Sequence, residues 1–282
     1  MKIIECPRDA MQGLHTFIPT RDKVEYLNLL LQVGFDTLDF GSFVSPKAIP
    51  QMRDTGDVVR QLKLNNTDTK LLAIVANKRG ALDATQYNNI SYLGYPFSIS
   101  ETFQLRNTNA TISESLERVK MIQEICIDHN KTLVIYISMG FGNPYGDDWN
   151  VQVVQYWVEV LKSLGITIIQ LSDTIGVAQA DNISYLFGNL IPNNTDIEIG
   201  AHFHTHSKTW FEKINTAYQN GCMRYDGVIK GYGGCPMAQD SLVGNMPSEL
   251  LIQFAQDLNI ELDFNMEAYH EATIMAQKIM LS

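Results

Sequence analysis

Residues 197–204 read Ile-Glu-Ile-Gly-Ala-His-Phe-His, a run that is typical of a β-strand with functional groups at its end. Side chains two positions apart on a strand point to the same face, so His202 and His204 face one way while Ala201 and Phe203 face the other. The apolar residues before them indicate a strand that is buried on at least one side. Two imidazoles side by side can bind a divalent ion, although a pair of hydrogen-bonded core histidines fits this pattern equally well.

Eight runs of β-forming residues, of which this is the seventh, alternate along the chain with segments of helical pattern. The runs span residues 2–6, 35–40, 69–76, 90–100, 132–139, 166–173, 197–204 and 224–230. Apolar residues recur at helical spacing in residues 21–33, 113–130, 149–165, 181–190, 207–221 and 247–259, with a weaker pattern at 80–88. This alternation is typical of α/β proteins with a parallel sheet.

The number of strands and the length of the chain predict the fold. A chain of 282 residues, 45% of them hydrophobic, can bury one large core, and no Pro/Gly/Ser-rich linker divides it. We therefore predict an α/β fold with one domain over residues 1–282. A single (β/α)8 TIM barrel occupies about residues 1–260, and a C-terminal helical extension follows at about residues 265–280. An open doubly wound sheet is the alternative, although the sequence has neither a GxGxxG after its first strand nor a P-loop.

Composition and charge exclude several classes of function. The formal net charge of −10 gives no broad basic surface for nucleic acid or an anionic membrane, so an anionic ligand must meet local cations. No apolar run is long enough to span a bilayer, and Glu5, Pro7 and Arg8 interrupt the N-terminus too early for a secretory signal. Four cysteines, far apart in the chain, indicate neither a disulfide framework nor a zinc knuckle. We expect an intracellular protein of the cytoplasm.

The carboxyl ends of the predicted strands carry reactive side chains, which is where a TIM barrel places its catalytic residues. These residues are Arg8 and Asp9 after the first strand, Asp39 on the second, Asp173 on the sixth, His202 and His204 on the seventh, and Cys235 in a glycine-rich loop after the eighth. Each alone has a structural explanation, such as a helix cap, a surface ion pair or a small buried side chain. Together, at one end of one barrel, they favour a divalent ion with open positions for a substrate.

Five motifs in order along the chain resemble the hydroxymethylglutaryl-CoA lyases, which are metal-dependent lyases with TIM barrels related to isopropylmalate and homocitrate synthases. The motifs are CPRDAMQ at 6–12, GSFVSPKAIPQMRD at 41–54, SDTIGV at 172–177, HFH at 202–204 and GYGGCPMAQDSLVGN at 231–245. The similarity extends from about residue 3 to residue 249, and the second and fifth motifs are specific to the lyase branch.

The resemblance implies a reaction and a set of site residues. The reaction cleaves 3-hydroxy-3-methylglutaryl-CoA into acetyl-CoA and acetoacetate, so the partner is an acyl-CoA, and the assembly is a homodimer. A divalent metal, Mg²⁺ or Mn²⁺, has as implied ligands Asp9, His202, His204 and Asn245. The implied catalytic residues are Arg8 at the thioester carbonyl, Cys235 in proton transfer, Asp39 and Asp173 in orientation or proton transfer, and His202 as one candidate for removing the hydroxyl proton. The residues assigned to substrate binding are Arg8, Gln12, Ser42 and Asn107. Leucine breakdown or ketone-body formation is the usual setting.

Several positions depart from the pattern of these lyases. Thr205-His206 replaces the usual Asp-Thr, Asp39 stands where glutamate is usual, and the segment before Pro144 lacks a common cysteine. Because of these changes, the sequence does not determine which acyl group the substrate carries. A related lyase or aldolase acting on a different 3-hydroxyacyl-CoA or a hydroxy acid is therefore one alternative, and a degenerate barrel that binds acyl-CoA or a protein partner without turnover is another.

Overall fold

A computed structural model describes residues 1–234 and 243–281 and confirms the predicted (β/α)8 barrel. Its eight parallel strands are β1 (Lys2–Glu5), β2 (Thr37–Ser42), β3 (Lys70–Ile74), β4 (Ile90–Ser98), β5 (Thr132–Ser138), β6 (Ile168–Asp173), β7 (Glu198–Thr205) and β8 (Arg224–Gly227). Each strand pairs with the next in sequence, and β1 pairs with β8, so the sheet closes on itself. All eight predicted strands are present, and the open-sheet alternative is wrong.

Helices surround the strands. They are α1 (Pro7–Gln12), α2 (Thr20–Val33), α3 (Thr55–Val59), α4 (Lys78–Thr85), α5 (Glu101–Thr108), α6 (Ile112–Asp128), α7 (Val151–Ser163), α8 (Ala180–Asn193), α9 (Trp210–Gln219), α10 (Ser248–Asp257) and α11 (Met266–Met280). Two short 3₁₀ segments lie at Pro50–Met52 and Ile229–Gly231. A two-residue strand, β9 (Gly244–Asn245), pairs antiparallel with the end of β7. None of the helices in the described part of the chain is long and apolar enough to cross a membrane.

The largest apolar core lies between the barrel wall and the helices. Side chains such as Leu30 on α2 and Val119 on α6 are fully buried there against outward-facing strand residues. The C-terminal extension, α11, packs against α2, and its buried residues are Ala268, Tyr269, Ala272, Met275, Ala276 and Ile279. Phe264, just before α11, meets Phe35 with ring centroids 5.0 Å apart. This packing joins the extension firmly to the barrel.

A glycine on β7 makes room for a polar side chain inside the barrel. At Gly200 on β7, a Cβ atom would lie 1.8 Å from Oε1 of Gln170 on the neighbouring strand. Any larger residue would therefore displace Gln170, whose amide nitrogen donates to Asp226 on β8. The glycine at position 200 thus preserves a polar contact that lies directly beneath the histidines of β7.

Candidate active site and metal centre

Three potential metal ligands meet at the carboxyl end of the barrel. Asp9 on α1 and both His202 and His204 on β7 each offer one ligand atom, and these atoms lie within 4.8 Å of one another. Asp9 reaches this point because α1 begins directly after β1, with Pro7 at its first position. The two histidines share a face of β7, as the alternating pattern predicts.

The hydrogen bonds of both histidines leave the same nitrogen of each ring available. His202 Nδ1 lies 2.9 Å from Asp226 Oδ2, and His204 Nδ1 lies 2.8 Å from the carbonyl oxygen of Thr174. A proton on each Nδ1 satisfies these acceptors and leaves a lone pair on Nε2. His204 Nε2 is buried and has no hydrogen-bond partner within residues 1–234 and 243–281. An imidazole nitrogen that is buried and unpaired fits a metal ligand.

Asn245 joins this group through β9. It stands opposite His204 in the antiparallel pair, and its Nδ2 donates to Asp9 Oδ2 at 2.8 Å and to the carbonyl oxygen of Tyr232 at 2.9 Å. All four predicted ligands are therefore brought together. Two oxygen-bearing side chains and two imidazoles form a mixed oxygen and nitrogen donor set that can hold a divalent ion.

Burial and neighbouring charges set the protonation of the two rings. Burial lowers the pKa of His204, and the adjacent His202 lowers it further, which keeps His204 neutral. Burial also opposes the charged form of His202, but the hydrogen bond and charge of Asp226 outweigh it and raise its pKa. For Asp9, burial is outweighed by Arg8 and the histidines, so its pKa is lowered and the carboxylate stays ionised.

Arg8 is held between two carboxylates. Its Nε lies 3.2 and 3.1 Å from the two oxygens of Asp39, and its Nη2 also contacts that carboxylate. Its Nη1 donates to Asp9 at 2.9 Å. Burial raises the pKa of Asp39 to about 6, although Arg8 opposes the rise. The fork of contacts fixes the plane of the guanidinium beside the potential metal ligands.

Asp226, which the sequence interpretation did not single out, supports His202. It lies on β8, is only 3% exposed and accepts hydrogen bonds from both His202 and Gln170. The sequence did contain a signal for Asp226, because an acidic residue in a short buried strand must find a hydrogen-bond partner inside the barrel. This carboxylate holds the ring that carries one of the potential ligand atoms.

A cavity of about 650 Å³ opens above these side chains. Its polar lining includes Arg8, Asp9, Gln12 and both histidines. Its apolar lining includes residues from β3, β4, β5 and α5, namely Ile74, Pro96, Phe103 and Tyr136. The end of α5 contributes Arg106, Asn107, Thr108 and Asn109. Of the residues predicted to bind substrate, Arg8, Gln12 and Asn107 therefore share this cavity.

Three other predicted site residues have different positions. Ser42 is buried and lines a neighbouring depression of about 460 Å³ between α3 and α4. Asp173 forms a buried ion pair with Lys213 of α9 and accepts a hydrogen bond from the backbone nitrogen of Ala178, so it faces the helices. Lys213 also donates to the carbonyl oxygen of His204, which links Asp173 to the site indirectly. Cys235 lies outside the described residues.

Thr205, where the sequence departs from the expected aspartate, is turned away from the cavity. Its hydroxyl lies 3.1 Å from both the carbonyl oxygen of His206 and the hydroxyl of Thr209. The carboxylate that supports a ligand comes instead from Asp226 on the next strand. The departure at Thr205 thus leaves the support of His202 intact.

Comparison with known proteins gives concordant results for sequence and structure. The family model described as HMGL-like matches residues 2–275. A hydroxymethylglutaryl-CoA lyase of Bacillus subtilis is 33% identical to this chain over 93% of its length and 86% of that protein. A crystal structure of an HMG-CoA lyase from the same organism superimposes with a TM-score of 0.92 at 31% identity, over 100% of this chain and 94% of that chain. An HMG-CoA lyase from Acinetobacter baumannii in complex with coenzyme A and 3-methylmalate has a TM-score of 0.90 at 28% identity, over 99% and 90% of the two chains.

Proposed function

The chain belongs to the HMGL-like family, and on this premise we propose that it is a divalent-metal-dependent lyase that cleaves 3-hydroxy-3-methylglutaryl-CoA into acetyl-CoA and acetoacetate. The observation that carries the proposal is the convergence of Asp9, His202, His204 and Arg8 on one cavity. This arrangement supplies metal ligands and a fixed cation to the same substrate, which a barrel that only binds acyl-CoA does not require.

We propose Mg²⁺ or Mn²⁺ as the ion, with Asp9, His202, His204 and Asn245 as its ligands. The unpaired, buried Nε2 of His204 and the neutral state of its ring support this assignment. When bound, the ion would supply Lewis acidity toward the substrate hydroxyl group. Asn245 already donates its amide hydrogens to Asp9 and Tyr232, so its carbonyl oxygen is the atom left to bind the ion.

Arg8 is the residue we assign to the thioester carbonyl, where negative charge develops as the carbon–carbon bond breaks. Its contacts to Asp39 and Asp9 hold the guanidinium in one plane before the substrate arrives. A cation fixed in advance stabilises charge in the transition state without reorganising. Asp39 is fully buried beneath Arg8, so we assign it to orienting that side chain.

Proton transfer is the step for which the ring nitrogens matter most. If Nε2 of His202 binds the metal, its Nδ1 is engaged by Asp226 and the ring has no nitrogen left to accept the hydroxyl proton. We therefore assign His202 to metal binding alone. The cleavage moves one proton overall, from the substrate hydroxyl to the product enolate, and on the basis of the motif 231–245 we propose Cys235 as the group that delivers it to the enolate.

Gln12 and Asn107 are proposed to bind the acyl-CoA, because both line the cavity with Arg8. Asp173 and Lys213 are proposed to support β7 from behind, since the Lys213 ammonium bridges Asp173 and the carbonyl oxygen of His204. We further propose that the protein acts as a homodimer in the cytoplasm. Light scattering of the purified protein would measure its oligomeric state directly.

The decisive experiment follows acetoacetate production by purified protein with 3-hydroxy-3-methylglutaryl-CoA. The assay is run with Mg²⁺, with Mn²⁺ and with excess chelator, and His204→Ala provides a variant without one proposed ligand. Activity that needs the metal and falls with His204→Ala supports the proposal. If no product forms at high enzyme concentration but another 3-hydroxyacyl-CoA from a small panel is cleaved, the proposed substrate is wrong and that thioester takes its place. Absence of turnover for every thioester would favour a binding protein.

A further inference from the structure

One wall of the cavity is formed by a short helix, α5, which is held in place by residues of other elements. Helix α5 has eight residues, and Phe103, Arg106, Asn107 and Thr108 on it line the cavity. Of these four, only Phe103 is buried, and Arg106 and Asn107 are exposed. An eight-residue helix is marginal by itself. The position of this wall therefore depends on contacts with other elements: the buried Gln104 bonds to Ser98 and Ser115 in the middle of the helix, and a second anchor lies at its N-terminal end.

Asp147, in the loop between β5 and α7, holds the N-terminal end of α5. Its Oδ2 accepts a hydrogen bond from the backbone nitrogen of Thr102 at 2.9 Å, and its Oδ1 accepts from the Thr102 hydroxyl at 2.9 Å. The hydroxyl of Ser100, the N-cap residue of α5, also donates to Asp147. The bond from Ser100 lowers the pKa of Asp147, with support from Thr102. A carboxylate at this end of a helix also interacts favourably with the helix dipole.

Asn143 shapes the loop that presents Asp147. Its Oδ1 accepts from the backbone nitrogens of Tyr145 at 3.0 Å and of Asp147 at 3.1 Å, and its Nδ2 donates to the carbonyl oxygen of Asp147 at 2.9 Å. Only a side chain with both an acceptor and a donor makes this set of bonds. Asn143 stands immediately before Pro144, in the segment that lacks the cysteine common among the lyases that this sequence resembles. A thiol is too weak an acceptor to replace these contacts.

The same loop also contacts a cation that lines the cavity. The guanidinium of Arg106 lies 4.7 Å from the centroid of the Tyr145 ring, and that ring stacks on Phe103 with centroids 6.5 Å apart. Within residues 1–234 and 243–281, the cations that line the cavity are Arg8 and Arg106. In a chain with a net charge of −10, a polyanionic thioester depends on such local cations.

We propose that Asp147 is a positioning residue for acyl-CoA binding. Through its bonds to Ser100 and Thr102 it fixes α5, and with Asn143 it forms a rigid loop over residues 143–147 that holds Arg106 and Asn107 where the thioester enters. The inference rests on the proposed function for the identity of the ligand. It concerns affinity and leaves the cleavage step to the residues around Asp9.

The test compares Asp147→Asn with Asp148→Asn, its exposed neighbour on the same loop. In Asp147→Asn, an amide group replaces one acceptor oxygen and faces the donors of Ser100 and Thr102. We expect its KM for the thioester to rise about fivefold or more while kcat changes by less than about twofold. Asp148→Asn should match the wild type in both constants, and Asp147→Glu should recover part of the lost affinity.

Amide hydrogen exchange separates this proposal from the proposed function, because it needs no turnover. Exchange at residues 101–108 should be at least about fivefold faster in Asp147→Asn than in Asp148→Asn, whereas exchange in the strands stays unchanged. The positioning role would be overturned if exchange in α5 is unchanged in Asp147→Asn. It would also be overturned if exchange is faster but the affinity for the thioester or for coenzyme A itself is unchanged. A wild-type protein without lyase activity would overturn the proposed function alone, and coenzyme A binding would then decide the role of Asp147.

Discussion

Replacing Asp226 by asparagine tests whether the carboxylate that bonds to His202 controls the proposed metal centre. Asp226 is 3% exposed, lies 2.9 Å from His202 Nδ1 and also accepts from Gln170, so both oxygens face donors. In Asp226→Asn one of these positions becomes an NH₂ group. If that group faces His202, the ring moves its proton to Nε2 and loses the lone pair that the metal requires. If it faces Gln170, two donors oppose each other inside the barrel.

Loss of such a supporting carboxylate typically lowers metal affinity by about 10- to 100-fold, which corresponds to about 1.4–2.8 kcal/mol. Titration of the apoprotein with Mn²⁺, with free Mn²⁺ followed by electron paramagnetic resonance, measures this change. Asp54→Asn is a suitable control, because Asp54 is a buried carboxylate that bonds to Lys23 and Thr20 away from the cavity. Mn²⁺ affinity in Asp226→Asn equal to that of the control would refute the reasoning.

Three further predictions concern Arg8, Glu5 and Lys213. Arg8→Lys should lower kcat by about 100-fold or more while Mn²⁺ affinity stays near the wild-type value, because lysine lacks the planar fork that Asp39 and Asp9 hold; unchanged kcat would contradict the role given to Arg8. Burial raises the pKa of Glu5 from 4.5 to about 8, so its contribution to the free energy of unfolding is fully present below about pH 4.5 and is lost as the pH rises through about 8. Urea denaturation at pH 5 and pH 8.5 should therefore show a smaller loss of stability in Glu5→Gln than in the wild type, and equal losses would count against this assignment. Lys213→Met should lower the free energy of unfolding, measured by urea denaturation, by about 3–5 kcal/mol, because it removes the cation paired with the buried carboxylate of Asp173. A loss below about 1 kcal/mol would show that Asp173 finds another partner.

The barrel could be predicted because its strands are long enough to show a pattern and regularly spaced. The helical pattern does not predict α1, α3 and α5, since segments of five to eight residues complete too few turns to show more than a weak periodicity. Two of these, α1 and α5, carry residues of the cavity. Short helices at the mouth of the barrel were thus the least visible part of the fold and among the most important for the site.

The residues of the site were predictable where strand faces could be told apart. On β7, histidines alternate with apolar residues, so the facing of His202 and His204 follows from the sequence. On β6 every residue is buried, so the sequence does not show that Ser172 lines the cavity while Asp173 faces the helices. On β2 an irregularity between Asp39 and Gly41 shifts the register, so counting forward from Asp39 does not give the facing of Ser42.

The antiparallel contact between β9 and β7 has a consequence for the newly made chain. It brings Asn245 to Asp9, two residues that are 236 positions apart. For most of the synthesis of the chain, Asp9 is therefore without Asn245, and β1 is without β8 as its second neighbour. The proposed set of four ligands is therefore complete only after residue 245 has left the ribosome and the barrel has closed.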